Sequence, residues 1–280
     1  MKNDNSHEPL LPGALAAKSR WVRSETLKIH KIAPGIRIAS ALSCVEILVA
    51  LHYGGIMKFN PQAPYDEDRD RLVISKAHGT VSYYPILADL GYFPKEQLAL
   101  VGKRGSILGD IPDNSIPGYE TINGSLGHGV GVACGLALGL KAKGSNRSVY
   151  VLLGDGELNE GSVWEAIMFA GQHGLDNLVV ILDNNKICML DYCSKIINLE
   201  PLDAKFGCFG WEALPVDGHD VEAVREVLQK AATQRNGRPK VVIADTVKGK
   251  GVPKLEGDSL CHIRALKPEE IDTLLGEIEL

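Results

Sequence analysis

The sequence has little of what marks nucleic-acid-binding, membrane or secreted proteins. Its 280 residues carry 30 Lys and Arg against 35 Asp and Glu, so it lacks the basic excess of a nucleic-acid-binding surface. No apolar run reaches the roughly 18 residues of a membrane span. The N-terminal segment holds Asp4, Glu8 and Pro9 and no apolar core, unlike a signal peptide. We therefore expect a cytoplasmic protein with neither nucleic-acid nor membrane partners.

Cysteine motifs and nucleotide-binding motifs are also missing. The six cysteines include no pair separated by two residues, and Cys188 and Cys193 are not followed by a Cys/His pair at metal spacing. A zinc site is therefore not expected, and six free thiols suit a reducing compartment. No glycine-rich loop ends in Gly-Lys-Ser or Gly-Lys-Thr, which excludes a P-loop nucleotidase.

Short apolar runs alternate with helical patterns in the second half of the chain. The predicted strands are Val149–Gly154, Leu178–Asp183, Trp211–Val216 and Lys240–Thr246, with a further one at Val73–Ser75. The predicted helices between them are Ser162–His173, Leu202–Phe209 and Asp220–Arg235. This alternation predicts an α/β fold with a mostly parallel sheet flanked by helices.

The rest of the chain is predicted to be mainly helical, and no Ser/Gly-rich linker interrupts it. The further predicted helices are Ala14–His30, Ser43–Tyr53, Gly79–Leu90 and Pro268–Ile278. Pro61–Asp70 is typical of a polar connection, and Lys248–Leu266 of a loop. We therefore expect a single domain over residues 1–280.

Glycines recur every four residues at Gly127, Gly131, Gly135 and Gly139. On a helix they would form one smooth stripe at a cost of roughly 1 kcal/mol each, so something should pack there. We expect tight packing on the sheet or another helix; the alternative is a subunit contact beside a ligand. A dinucleotide-binding fingerprint at Gly129, Gly131 and Gly135 is disfavoured because no convincing strand precedes it.

Two polar motifs follow consecutive predicted strands. Gly154-Asp155-Gly156 ends the first and Asp183-Asn184-Asn185 ends the next, with a helix in the gap. The carboxyl ends of neighbouring parallel strands lie at one edge of a sheet, where ligands bind. One carboxylate, one amide oxygen and a nearby backbone carbonyl could form a small oxygen-lined site for Mg²⁺ or Ca²⁺. Each motif alone could equally be a strand-end turn.

Together these motifs resemble the thiamine diphosphate motif, and their surroundings resemble transketolase. Further segments that resemble this family are Ile74–Gly79, Asn123–Gly129, Val216–Asp220 and Thr246–Gly251. The resemblance covers about residues 14 to 275, whereas full-length transketolases are much longer. It implies the N-terminal subunit of a split, two-chain transketolase that carries only the diphosphate-binding module.

The resemblance also implies a cofactor and a set of site residues. Thiamine diphosphate would bind with Mg²⁺ or Ca²⁺, the metal being held by Asp155, Asn185 and the backbone carbonyl of Ile187. The other implied cofactor-binding residues are His78, Gly124, Ser125, Leu126, Gly154, Gly156, Glu157 and His262. His78 and His262 are implied to be catalytic near the reactive thiazolium, and Glu160 to act from a subunit contact coupled to the cofactor. His128 and His219 are expected to be ordinary polar or turn residues.

The implied activity requires a second chain. The enzyme would transfer a two-carbon ketol unit from a ketose or hydroxypyruvate-type donor to an aldehyde-type acceptor. The glutamate that protonates the aminopyrimidine has no counterpart here, so a C-terminal transketolase subunit with the pyrimidine-binding domain is the implied partner. We expect a heterotetramer with two copies of each chain, and weak cofactor binding by this chain alone.

Two positions depart from the family pattern. Arg37 stands where a substrate-facing histidine is expected, and Asp110 replaces a second histidine. A guanidinium cannot exchange protons near neutral pH as an imidazole does, and an acidic residue repels phosphorylated substrates. We therefore expect an unusual donor or acceptor; alternatively, Arg37 and Asp110 pair with each other.

Other functions stay open at this point. One alternative is the thiamine-dependent component of a 2-oxo acid dehydrogenase or a deoxyxylulose phosphate synthase relative. The Lys-Gly-Lys-Gly segment and the Gly-Ser-Leu-Gly loop favour transketolase over both. Another alternative is a catalytically silent regulatory chain, against which the presence of Asp155 and Asn185 argues.

Overall fold

A computed structural model describes residues 8–11, 13–122 and 124–278. The strands are β1 (Arg71–Ile74), β2 (Val149–Gly154), β3 (Leu178–Asn184), β4 (Ile187–Cys188), β5 (Asp191–Tyr192), β6 (Glu212–Asp217) and β7 (Lys240–Asp245). The helices are α1 (Ala14–Ile32), α2 (Ile38–Leu42), α3 (Val45–Tyr53), α4 (Tyr83–Leu90), α5 (Gly129–Ala142), α6 (Gly161–Gln172), α7 (Cys193–Ile196), α8 (Leu202–Cys208), α9 (Val221–Thr233) and α10 (Pro268–Ile278). Short 3₁₀ turns lie at Ala77–Gly79, Lys95–Leu100, Gly156–Asn159 and Cys261–Ile263.

The central sheet has the order β1-β2-β3-β7-β6, and every neighbouring pair is parallel. Helices cover both of its faces, as the alternation of strand residues shows. Tyr150 and Leu152 of β2 belong to the apolar layer under α1, α3, α4 and α9. Val149, Val151 and Leu153 belong to the opposite layer, under α5, α6 and α8. The predicted α/β class with a mostly parallel sheet is confirmed.

The predicted strands of this sheet lie within two residues of the observed ones, and two of the predicted helices start later than expected. The segment predicted as one helix from Ser43 starts between α2 and α3, and the helix itself begins only at Val45. The N-cap position of α3 is Cys44, and the Ser43 hydroxyl donates to Asp183 Oδ2 at 2.6 Å. The segment predicted as a helix from Gly79 begins with the end of a 3₁₀ turn, and α4 starts only at Tyr83.

The predicted glycine stripe is wrong in two respects. Gly127 precedes α5 in a left-handed conformation with a φ of 85°, and a Cβ there would lie 2.7 Å from Glu160 Cβ. Gly131, Gly135 and Gly139 are exposed, and a Cβ on any of them would meet no described atom within 4 Å. The expected tight packing is therefore not made within the described chain. The alternative, a subunit contact, stays a prediction.

The segment that follows β7 is anchored by a small apolar cluster of its own. Val252, Leu255 and Cys261 pack with Ile38 and Leu42 of α2. This cluster brings residues 248–262 back over the carboxyl end of the sheet. In the part of the chain that the structure describes, we find no helix with the length and apolar character of a membrane span.

Candidate functional site

A recess of about 130 Å³ lies at the carboxyl ends of β2 and β3. The two strands run in register there, with Gly154 beside Asp183, so the motifs that follow them meet as expected. The predicted site residues in its wall are Leu126, Gly154, Asp155, Gly156, Glu157, Asn185, Ile187 and His262. The sheet topology thus joins residues that are far apart in the sequence.

Asp155 is the buried carboxylate of this recess. It is 6% exposed, its Oδ1 accepts the Gly156 backbone N–H at 2.7 Å, and its Oδ2 accepts that of Lys186 at 2.5 Å. Burial and the nearby charge of Asp183 raise the pKa of Asp155 to about 6, against the opposing effect of these hydrogen bonds. A carboxylate in such surroundings is stabilised by a cation.

Two further oxygens accompany the Asp155 carboxylate. Asn185 is 6% exposed; its amide nitrogen donates to Asp183 Oδ2 at 3.1 Å, and its Oδ1 accepts the Ile187 N–H at 3.2 Å. The Ile187 carbonyl accepts a hydrogen bond from Lys248 Nζ at 2.8 Å. Each of these oxygens has a second lone pair. The described residues contain no group of three His, Cys, Asp or Glu at metal distance, so a metal here would need this mixed oxygen set.

A buried ion pair supports the recess from below. Asp183 is fully buried and accepts hydrogen bonds from Lys76 Nζ and from the hydroxyls of Ser43 and Thr246. Burial alone would raise the pKa of Asp183, but the Lys76 charge and these donors hold it below its ordinary value. Burial alone would likewise lower the pKa of Lys76, but the Asp183 charge raises it. Because every partner is hydrogen-bonded, this pair fixes the end of β3.

Glu157 lines the recess, but its carboxylate is committed to the protein. Its Oε1 accepts from the Ser75 hydroxyl and from the Gly127 N–H at 2.8 Å, and its Oε2 accepts from the Gly154 N–H at 3.3 Å. Burial raises its pKa, and these donors oppose that shift. Through these hydrogen bonds, Glu157 links the ends of β1 and β2 to the segment that precedes α5.

The two predicted catalytic histidines lie on 3₁₀ turns. His262 borders the recess, and its Nδ1 lies 3.2 Å from the Ser40 hydroxyl. His78 lies in the Ala77–Gly79 turn, whose Gly79 lines the recess; its side chain is outside the described part of the structure. The recess therefore has one described imidazole at its border.

The other predicted residues lie outside the recess. Gly124 has a φ of 116°, Ser125 is exposed, and Asn123 of the same segment is outside the described residues. Glu160 is exposed at the start of α6 and packs beside Gly127. These positions surround the N-terminus of α5 rather than the oxygens of Asp155, Asn185 and Ile187.

Arg37 and Asp110 are both exposed. A Cβ on Gly35 would lie 3.7 Å from Asp110 Oδ2, so Asp110 is next to the segment that carries Arg37. No ion pair within 4.0 Å joins them among the described residues. The alternative that these two side chains neutralise each other therefore finds no support.

Three polar residues of the recess were not predicted: Ser40, Lys76 and Lys248. Lys248 is 5% exposed, and burial together with the Lys76 charge lowers its pKa. Lys76 and Lys248 stand in segments that resemble the family, Ile74–Gly79 and Thr246–Gly251, and that resemblance is a signal that could have found them. Ser40 offered none, since it comes from α2 and only the tertiary fold brings it to β2.

A larger cleft of about 830 Å³ lies alongside, at the carboxyl ends of β6 and β7. Its wall includes Lys186 and Asp245, which pair with each other at 3.0 Å. We assign the site to the smaller recess, because that is where buried polar groups converge.

The recess fits a divalent metal with a diphosphate-bearing cofactor. Asp155, Asn185 and Ile187 offer hard oxygens, and Lys248 offers a buried positive charge. A Cβ on Gly156 would lie 3.0 Å from Cys188 Cβ, so a larger residue in this turn would require Cys188 to shift. Fold and site together define an α/β cofactor-binding protein whose ligand sits at the carboxyl edge of a parallel sheet.

Comparison with known proteins names the family. Residues 29–278 match the family described as transketolase, thiamine diphosphate binding domain, and the chain belongs to the transketolase family. Its cofactor is accordingly thiamine diphosphate, and it corresponds to the N-terminal subunit of split transketolases.

The similar proteins are of two lengths. The chain is 38% identical to an apulose-4-phosphate transketolase subunit of Actinobacillus succinogenes, over 95% of this chain and 96% of that protein. It is 36% identical to a 6-deoxy-6-sulfo-D-fructose transketolase subunit of a Clostridium species, over 95% and 96%. The crystal structure of Campylobacter jejuni transketolase superposes with a TM-score of 0.89 at 30% identity, covering 97% of this chain but 43% of that chain. The chain thus spans less than half of the full-length enzyme.

Proposed function

We propose that this chain is the cofactor-binding subunit of a two-chain transketolase-like enzyme. Together with a partner it transfers a two-carbon ketol unit from a ketose or hydroxypyruvate-type donor to an aldehyde-type acceptor. The observation that carries the proposal is the convergence of Asp155, Asn185 and the Ile187 carbonyl in one buried recess. The match to separate subunits over nearly their whole length supports it.

The residues of the recess would divide the work of binding. Asp155, Asn185 and the Ile187 carbonyl would hold Mg²⁺ or Ca²⁺, and Gly156 with Lys248 would receive the diphosphate. Thiamine diphosphate, when bound, supplies the nucleophilic carbon for ketol transfer. His262, hydrogen-bonded to Ser40, stands where it could move a proton at the border of the recess.

His78, Gly124, Ser125 and Leu126 are proposed to contact the cofactor above the diphosphate. Among the described side chains of this group, that of Leu126 lines the recess. Gly154 and Glu157 would shape the recess from the β2 side, Glu157 through its bonds to Ser75 and Gly127.

A partner chain is needed to complete the site. At about 130 Å³ the recess is smaller than the roughly 300–1,000 Å³ typical of cofactor sites. The exposed glycines Gly131, Gly135 and Gly139 of α5 offer a smooth face that a second chain could cover. Glu160 lies near the start of that face, where it would reach the partner. We propose that this chain forms one domain, that the partner carries the pyrimidine-binding and C-terminal domains, and that two of each assemble in the cytoplasm.

The donor or acceptor is proposed to differ from a standard sugar phosphate. Two relatives are described as acting on apulose-4-phosphate and on 6-deoxy-6-sulfo-D-fructose, both sugars with an anionic group. Arg37 could bind such a group, whereas Asp110 would repel it. Since the exposed side chains of Arg37 and Asp110 are not paired with each other in the described structure, both can contribute to substrate selection.

The test uses the chain assembled with a C-terminal transketolase subunit. Release of carbon dioxide from hydroxypyruvate is measured with and without thiamine diphosphate and Mg²⁺. We expect release that depends on both additions. An assembled complex with verified bound cofactor but no release from hydroxypyruvate, and no transfer from a ketose, would overturn the two-carbon transfer.

A further inference from the structure

His219 connects helix α3 to the loop that carries Lys248. Its Nδ1 lies 3.0 Å from Glu46 Oε2 on α3, and its Nε2 accepts the Val247 backbone N–H at 2.8 Å. Because Nε2 accepts from an amide, the proton of the neutral imidazole sits on Nδ1 and is donated to Glu46. The sequence pattern indicates only a turn residue at this position.

Arg23 of α1 extends the chain of hydrogen bonds on the other side of Glu46. Its Nη2 donates to Glu46 Oε1 at 2.5 Å, and its Nη1 donates to the Lys250 carbonyl at 2.7 Å. Arg23 and Glu46 are each 7% exposed. Burial alone would raise the pKa of Glu46, but the His219 hydrogen bond and the Arg23 charge hold it below its ordinary value. Glu46 is therefore a buried carboxylate with a donor on each oxygen.

These contacts hold the loop on both sides of Lys248. His219 binds the backbone at Val247, Arg23 binds it at Lys250, and between them the Lys248 side chain enters the recess, with Nζ 2.8 Å from the Ile187 carbonyl. A two-point attachment of the backbone restricts where this side chain can point.

The surrounding glycines show how closely the parts fit. A Cβ on Gly251, whose φ is 86°, would lie 2.6 Å from Arg23 Cδ. A Cβ on Gly218 would lie 2.3 Å from Thr246 Cγ2. The Asp217–Asp220 turn therefore packs directly on the loop, with the Asp220 side chain capping α9. These contacts explain why glycine occupies position 218 in the segment Val216–Asp220 and position 251 in the segment Thr246–Gly251.

We propose that Arg23, Glu46 and His219 are positioning residues for cofactor binding, which hold the 246–251 loop so that the Lys248 ammonium faces the diphosphate position. None of the three is among the described residues that line the recess itself. The inference rests on the proposed function, because it requires that the recess bind thiamine diphosphate.

A matched pair of substitutions separates the two hydrogen bonds of His219. The amide of His219→Gln can place an oxygen near the position of Nε2 and accept from Val247, whereas the shorter His219→Asn keeps a donor for Glu46 and loses that acceptor. The dissociation constant of thiamine diphosphate is measured by calorimetry on the assembled two-subunit complex at saturating Mg²⁺. We expect affinity up to about tenfold weaker for His219→Asn, as for loss of one hydrogen bond, and about threefold or less for His219→Gln.

A double-mutant cycle tests whether the effect passes through Lys248. Once Lys248→Met has removed the ammonium, His219→Asn should weaken binding little further. The control is His52→Gln on the same helix as Glu46; His52 is 3% exposed and bonded to Leu48 and Tyr83. We expect this control to lower the melting temperature without changing the dissociation constant.

The possible failures are distinguishable. A wild-type complex that binds no thiamine diphosphate overturns the proposed function, and this inference with it. Normal wild-type binding with an unchanged dissociation constant for His219→Asn overturns the positioning role alone. Full additivity of His219→Asn with Lys248→Met also overturns it, since the histidine would then act by another route.

Discussion

The proposed cofactor side and the proposed substrate side of the site are built differently. Asp155, Asn185 and Lys248 are at most 6% exposed, and each is hydrogen-bonded to other parts of the protein. Arg37 and Asp110, proposed to face substrate, are exposed and unpaired with each other in the described structure. The cofactor side is thus tied to the core, whereas the substrate side can change at little cost in stability.

This difference has a physical origin in the sheet. The buried oxygens follow β2 and β3, and Asp183 beneath them is bonded to Ser43 between α2 and α3, to Lys76 after β1 and to Thr246 after β7. A substitution on the cofactor side therefore leaves a buried polar group without its partner. This costs far more stability than substitution of a solvent-exposed side chain.

The largest effect is expected for Asp155→Asn. The substitution removes the negative charge and turns one carboxylate oxygen into a donor facing a backbone N–H of Gly156 or Lys186. We expect thiamine diphosphate affinity in the presence of Mg²⁺ to fall about 100-fold or more, measured by calorimetry on the complex. The matched control is Asp245→Asn, an exposed carboxylate paired with Lys186 at 3.0 Å. Equal losses of affinity in both variants would contradict the proposed difference between the buried and the exposed carboxylate.

The next effect concerns stability and the ion pair under the recess. Lys76→Met leaves the fully buried Asp183 without its cation, and we expect a loss of about 3–5 kcal/mol in the free energy of unfolding. Lys18→Met removes a more exposed partner, that of Asp89, and should cost about 1 kcal/mol or less. Urea unfolding of the full chain measures both. A Lys76→Met variant as stable as Lys18→Met would show that the cofactor side is not tied to the core.

The burial of His52 also predicts how the stability of the fold depends on pH. Burial lowers the pKa of His52 from 6.5 to about 4. Between these values the unfolded chain binds more protons, so stability is complete above pH 6.5 and falls as the pH drops towards 4, by about 3 kcal/mol at most. Melting temperatures over this range should fall less steeply for His52→Gln than for the wild type. The exposed His173→Gln should leave the profile unchanged; a profile unaltered in both variants would place the acid sensitivity elsewhere.

The same contrast explains which parts of the site can be predicted from the sequence. Asp155 and Asn185 directly follow apolar strands, so the parallel-sheet rule alone places them together. Ser40 reaches the recess only through the packing of α2, which no local pattern encodes, whereas Lys248 stands in a segment, Thr246–Gly251, whose family resemblance could have pointed to it. The sequence predicts only a turn residue at His219, because its two hydrogen-bond partners lie on α3 and after β7, far from it along the chain.

For the glycine stripe, the sequence predicts a packing contact that the described structure does not make. A four-residue spacing predicts a shared helix face but cannot say what covers it, and it cannot detect that Gly127 lies before the helix begins. The structure leaves Gly131, Gly135 and Gly139 exposed. One helix start was mispredicted at Ser43, whose hydroxyl bonds Asp183 while Cys44 takes the N-cap position of α3.

The smallest expected effect on the protein, and the most specific, is that of Asp110→His. Replacing an exposed carboxylate that lies near the Arg37 segment removes a charge that repels anionic substrates. We therefore expect the ratio of kcat/KM for a phosphorylated over an uncharged aldehyde acceptor to rise up to about tenfold, while stability changes by about 0.5 kcal/mol or less. Asp113→His makes the same exchange at an exposed position of the same segment and should leave the ratio unchanged. If both variants shift the ratio equally, the effect is one of net charge, and Asp110 does not belong to the substrate side.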